Sequence, residues 1–275
     1  MKLKHYLQFV CAGRYLVEPT VTIVTFLIAL PACFLGGLLN AISGGGGFIT
    51  VPALMLAGLP AHYALSTDKV QSFFGMATAS FRFIKSGLIY WKVILPAIPA
   101  ALIGSALGTS LVVMVDATIL SWLLMIILPI VAYITLSKHF KHAAVDSNDP
   151  ITVKQRVLCV VAAFVIGAYD GFYGPGSGTF LTIAFTFAAS MGVIRANAHS
   201  KLLNLTTNIG AIVVFAFNGK ILLVLAIACG IANMIGAWFG AGLVMKKGIN
   251  IVRPCILIAL GLLAVKLIGE QLGLF

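Results

Sequence analysis

Apolar runs long enough to cross a bilayer, which takes about 20 residues, recur along the whole chain. The clearest are 20–39, 93–115, 117–136, 157–168, 221–245 and 251–268. Backbone N–H and C=O groups find no water inside lipid, so each run must satisfy them internally, as a helix does. The expected fold class is an all-α polytopic membrane protein. Composition agrees: 61% of the 275 residues are hydrophobic and 9% are charged, where a soluble domain carries about 25%.

The formal net charge of +11 comes from 18 Lys and Arg against 7 Asp and Glu. The cations cluster in "RFIKSGLIYWK", "SKHFKH", "KQR" and "KKGINIVR", all flanking apolar runs. Loading of cytoplasmic loops with Lys and Arg accounts for this. A nucleic-acid partner would need a solvated basic face, and none exists. The five cysteines (Cys11, Cys33, Cys159, Cys229, Cys255) are scattered and mostly apolar in context. They make neither a disulfide framework nor a metal motif, so no metal and no cofactor is expected.

The chain states its pattern twice. Shifted by 131 positions, "GGLLNAISGGGGFI" lies over "GAYDGFYGPGSGTF", so that Gly36 meets Gly167 and Gly47 meets Gly178. At a shift of 132, Lys69 meets Lys201, Gly87 meets Gly219, and Gly108 meets Gly240. Glu18-Pro19 also lies over Asp149-Pro150, an acid and a proline suited to a first helical turn. The beginning of the chain imitates a signal peptide. Its counterpart lies deep in the sequence, so the segment is expected to be structural.

The repeat divides the chain into an interfacial segment (1–18), a first transmembrane repeat (19–137), a cytoplasmic linker (138–154) and a second transmembrane repeat (155–275). Each half reads as a long apolar helix, a glycine break, a short apolar helix, a more polar helix and two further long ones. Arg82, Lys85 and Lys92 follow the third element of the first half, against Lys220 alone in the second. In the next loop the bias reverses, with Asp116 against Lys246, Lys247 and Arg253. Opposite bias in equivalent loops predicts two inverted-topology repeats. Inversion needs an odd number of crossings per half: five if the short helices span, three if the first two elements form a re-entrant pair. This places the N-terminus outside, although Lys2, Lys4 and Arg14 favour the opposite side.

The glycine breaks are the strongest functional signal. Ser43 and Gly44, Gly45, Gly46 and Gly47 make one; Gly174, Pro175, Gly176, Ser177 and Gly178 make the other. Broken backbone is tolerated at membrane depth only where it faces protein or a water-filled cavity. The helix that follows offers free N–H groups and its positive dipole end, an anion site. By contrast the G-x-x-x-G pairs 104–108 and 236–240 read as helix-packing devices. Ionisable residues within a span are functional candidates, and Lys69 and Lys201 occupy equivalent positions. Ser72 and Asn204 follow three residues later on the same helix face. Together these residues predict a compact pocket for one small anion. Asp170 is expected either to carry a coupling proton or to pair with Lys201, and His199 is a second proton-coupling candidate. Arg82 and Arg195 read as interfacial, and Asp68 as exposed at a helix start.

The stretches "SGGGGFITVPALMLAGLPAHYALSTDKVQSFFG", "RFIKSGLIYWK" and "DGFYGPGSGTF…ANAHSKLLNLTTNIG" resemble the TauE/SafE sulfite exporter family over nearly the whole chain. The "YDGFYGPGSGTF" form is similar to a bacterial inner-membrane branch of it. The resemblance implies a multi-pass inner-membrane secondary transporter for small sulfur-containing or organic anions such as sulfite, sulfonates or sulfoacetate. The motif residues that match by position are the glycine breaks, Lys69 and Lys201. Asp68 departs from the pattern, standing where a small polar residue is expected. Two other classes stay open at this point. One is a passive anion channel. The other is an intramembrane serine hydrolase built on Ser177 and His199, which the first half contradicts by carrying Gly46 and Thr67 there.

Overall fold

Two capping boxes start the two halves. Thr22 Oγ1 accepts from the Thr25 N–H while the Thr25 hydroxyl accepts from the Thr22 N–H; Thr152 and Gln155 do the same in the second half. Each box satisfies two N–H groups that a helix start would otherwise leave open. The computed structural model describes residues 21–112, 151–217 and 221–248, together with 250–252, 254–258, 261 and 269. The expected acid-proline starts, the apolar run 117–136, the linker up to residue 150 and most of 251–268 lie outside these residues.

Among the described residues eight long or short helices follow one another. The first half holds α1 (Ile23–Ser43), α2 (Gly47–Leu56), α3 (Ala61–Lys85) and α4 (Trp91–Val112). The second half holds α5 (Val153–Phe172), α6 (Ser177–Ala188), α7 (Val193–Phe217) and α8 (Leu223–Lys247). By length and composition α1, α4, α5, α7 and α8 can cross a membrane. With 10 and 12 residues, α2 and α6 reach only about 15 and 18 Å at 1.5 Å per residue, well short of a hydrocarbon core of about 30 Å. They fold back instead. Thr25 Oγ1 near the start of α1 donates to the Ala57 carbonyl at the end of α2 (3.3 Å). Tyr169 of α5 likewise lies beside Phe180 of α6, ring centroids 5.3 Å apart.

The fourth helix of each half packs on the first helix of the other. A Cβ on Gly104 or Gly108 would run into the α5 backbone at Phe164 and Ala168, and one on Gly236 or Gly240 into α1 at Phe34 and Leu38. The G-x-x-x-G pairs therefore do what small residues do between membrane helices. At the α1–α8 seam Cys33 and Cys229 are buried free thiols in one apolar cluster; Cys159 and Cys255 are buried and free as well. Inside this frame α3 and α7 pack on each other, and the polar side chains of α7 are buried.

One end of the bundle collects the cationic loops. Ser86 Oγ lies 3.1 Å from Met245 Sδ, and the Tyr90 N–H donates to His199 Nε2 at 2.9 Å. The end of α3, the starts of α4 and α7 and the end of α8 thus lie together. Arg82 and Arg195 sit here on aromatic faces, 4.3 Å from the Trp238 ring centre and 4.7 Å from that of Tyr90.

Candidate functional site

The site is built where the tips of the α1–α2 and α5–α6 hairpins touch. α1 stops at Ser43 because Gly44 turns to φ +87°, its N–H still bonded to the Asn40 carbonyl at 2.9 Å. Gly176 turns the second tip at φ +86°. Both angles are ones that L side chains rarely adopt. Neither position has room for a side chain in any case. A Cβ on Gly44 would enter the backbone of Gly178 and Thr179, and one on Gly176 the ring of Phe48. The Thr179 hydroxyl ties the tips together by donating to the Ser43 carbonyl at 2.7 Å.

Between the tips and the polar faces of α3 and α7 lies a cavity of about 20 Å³, room for about one water molecule. Of the residues expected from sequence, Gly44, Gly47, Lys69, Ser72, Gly174, Gly176, Ser177 and Asn204 line it, and Asp170 joins them. Gly45 and Gly46 do not; a Cβ on Gly46 would strike the Gly36 carbonyl and Asn40, so Gly46 serves the α1–α2 contact. Ser43 is fully buried behind the tip, its hydroxyl bonded to the Leu39 carbonyl. Gly178 and Lys201 sit immediately behind the lining. His199 lies elsewhere, with Nε2 accepting from Tyr90 and Nδ1 beside the Arg195 carbonyl at 2.7 Å.

Two expectations are corrected. Asp68 is not exposed: only 6% of it is accessible. It receives hydrogen bonds from the Thr50 hydroxyl and from Gln71 Nε2, the latter at 2.8 Å. Asp170 does not pair with Lys201. Its Oδ1 accepts from Lys69 Nζ at 3.0 Å and from Ser177 Oγ at 2.7 Å, and Lys69 also reaches its backbone carbonyl at 2.5 Å. The Ser177 hydroxyl is thus committed to a carboxylate rather than to His199, which removes the hydrolase arrangement.

Lys201 is the unusual group. Its side chain is fully buried, and Nζ has no hydrogen-bond partner among the described residues. It lies against Gly178, so close that a Cβ there would come 3.2 Å from Nζ and 2.6 Å from the Asn204 amide. No side chain caps the start of α6 beside it. The Lys201 amine, an amide donor and a helix N-terminus therefore converge on one spot. A buried cation without a partner costs several kcal/mol, and the arrangement suits an arriving anion.

Pro175 of the second break also lines the cavity, as do Asn40, Asp68 and Asn208, which sequence reasoning left out of the site. Asn208 carried a usable signal, since it follows Asn204 by four residues and shares its helix face. Asn40 carried none, being a single amide at the end of an apolar run.

A family profile described as "Sulfite exporter TauE/SafE" matches residues 29–267. "Probable membrane transporter protein ORF9" of Sinorhizobium sp is 34% identical over 240 residues, covering 87% of this chain and 90% of that one. "Probable membrane transporter protein YfcA" of Escherichia coli (strain K12) is 31% identical over 260 residues, 94% of each. A "Probable membrane transporter protein" of Haemophilus influenzae is 31% identical over 248 residues, 89% of this chain and 96% of that one.

Proposed function

The chain belongs to the TauE/SafE family of membrane transporters, and we propose that it is a secondary carrier that moves one small sulfur-containing or organic anion across the bacterial inner membrane. The observation that carries the reading is Lys201, buried and unpartnered beside Asn204 and the uncapped start of α6. Sulfite, a sulfonate or a sulfoacetate-like anion offers the oxygen acceptors these donors lack.

Alternating access follows from two inverted repeats rocking about the touching tips. Two observations support inversion. Tyr90, between the end of α3 at Lys85 and the start of α4, donates to His199 near the start of α7, so α3 ends where α7, its counterpart in the other half, begins and the two run in opposite directions. The cationic loops after α3 and after α8 gather at one end, which by the positive-inside rule is the cytoplasmic end. A cavity of about 20 Å³ favours a carrier caught between open states over a standing pore.

Asp170 is the proton-coupling group in this reading. A proton on its carboxyl weakens the pairing with Lys69 and frees a second cation for the anion. His199, held by Tyr90 and Arg195 away from the cavity, has no such leverage.

Counterflow in proteoliposomes tests the proposal, with sulfite, taurine, sulfoacetate or an aromatic sulfonate preloaded in turn at two pH values. Exchange that depends on one of these anions is expected. Its absence in folded protein removes the anion assignment, and flux without counterflow assigns a channel.

A further inference from the structure

A second feature of the molecule lies on its lipid-facing side, away from the cavity. Between α3 and α8 runs an apolar groove of about 610 Å³, within the range of roughly 300–1,000 Å³ that accommodates small ligands. Phe81, Met234, Trp238 and Phe239 form much of its wall. Its one hydroxyl, Thr78, donates to the Phe74 carbonyl at 2.9 Å.

The cationic end of the groove is built. Arg82 donates to the Trp238 carbonyl and lies over the Trp238 ring. Gly242, one turn beyond Trp238, leaves the space for it: a Cβ there would come 2.9 Å from Nη1. Lys85 follows Phe81 by one turn, and Lys246 follows Gly242 by one turn, and both are exposed. None of these three cations forms an ion pair among the described residues. Lysines in a last helical turn complement the helix dipole. Arg82 does something different, because its guanidinium crosses to the neighbouring helix and still has donors to offer.

We propose that this groove is a site for one anionic glycerophospholipid, its phosphate held by Arg82, Lys85 and Lys246 and an acyl chain laid along Phe81, Trp238 and Phe239. Charge complementarity selects this occupant. An apolar slot capped by three cations that form no ion pair among the described residues fits an amphiphile with a negative head. The cationic end is also the cytoplasmic one by the positive-inside rule, where anionic lipids meet basic pockets between spanning helices. A tryptophan at that level is an ordinary headgroup neighbour. The proposal concerns lipid binding and is independent of the transported anion.

Native mass spectrometry of the purified full chain tests it, using phosphatidylglycerol and phosphatidylcholine with identical acyl chains. The wild type is expected to retain phosphatidylglycerol preferentially. Arg82→Gln and the double variant Lys85→Gln/Lys246→Gln should each lose preference, by about fivefold for every cation removed near an anionic surface. Equal retention of the two lipids by the wild type overturns the proposal. So does an unchanged preference in the double variant, which decides the matter if Arg82→Gln does not fold. Disulfide cross-linking between two copies carrying Phe239→Cys in a bilayer would assign the groove to a second chain and also overturn it.

Discussion

Lys69 and Lys201 stand at the same place in the two halves and have opposite surroundings. Lys69 is held by Asp170, through both its carboxylate and its carbonyl. Lys201 is buried more completely and holds nothing among the described residues. The asymmetry comes from one position. Asp170 in the second half corresponds to Leu39 in the first, 131 residues earlier, so only the first lysine finds a carboxylate across the tips. Lys69 of α3 is thus clasped to the tip of the α5–α6 hairpin, while Lys201 of α7 is left without a hydrogen-bond partner among the described residues.

The clasp should show the largest effect. Lys69→Met leaves Asp170 buried and unpaired, and breaking one partner of a buried pair costs about 3–5 kcal/mol. A clear drop in thermal midpoint is expected, and most of it should return in Lys69→Met/Asp170→Leu. An unshifted midpoint in the single variant would show that the pair holds nothing together. Lys201→Met should behave the other way. The midpoint stays or rises, while anion affinity read by counterflow falls roughly ten- to a hundredfold, the loss of about 1.5–3 kcal/mol in a charged hydrogen bond. If Lys201→Met destabilises as Lys69→Met does, the two lysines are equivalent after all.

The glycines sharpen the same contrast at smaller scale. Gly47 and Gly178 are equivalent, yet a Cβ at Gly47 meets Pro175 at 3.2–3.3 Å while one at Gly178 comes 2.7 Å from the Gly44 Cα and 2.6 Å from the Asn204 amide. Gly178→Ala should cost about 1–3 kcal/mol as an overpacked site and suppress exchange, because it pushes on Asn204 and Lys201. Gly47→Ala should fall below about 1 kcal/mol and leave exchange measurable. Equal losses in both would mean that the two tips carry the same load.

Much of the helical frame was legible because hydropathy reports where lipid is. The run 93–115 corresponds to α4 (Trp91–Val112), and 221–245 to α8 (Leu223–Lys247). Hydropathy reads helix ends badly where a helix continues into protein. The run 20–39 stops short of Asn40 and Ser43, and 157–168 stops short of Asp170, although α1 and α5 include all three. Those residues are buried against other helices rather than lipid, so their polarity does not end the helix. Of the cavity residues left out by sequence reasoning, Asn40 lay in that margin.

What the sequence by itself determined is the membrane class, the recurrence of the glycine clusters 131 residues apart, the turns at those clusters and the matching positions of Lys69 and Lys201. Local chemistry decides each of these: apolar length, repeated spacing, and backbone angles that favour glycine. Which lysine meets Asp170, whether Asp68 is exposed, and how far His199 stands from the cavity were decided only in three dimensions. Partner choice depends on which hairpin tip faces which helix, and that is set by packing between halves more than 100 residues apart in sequence.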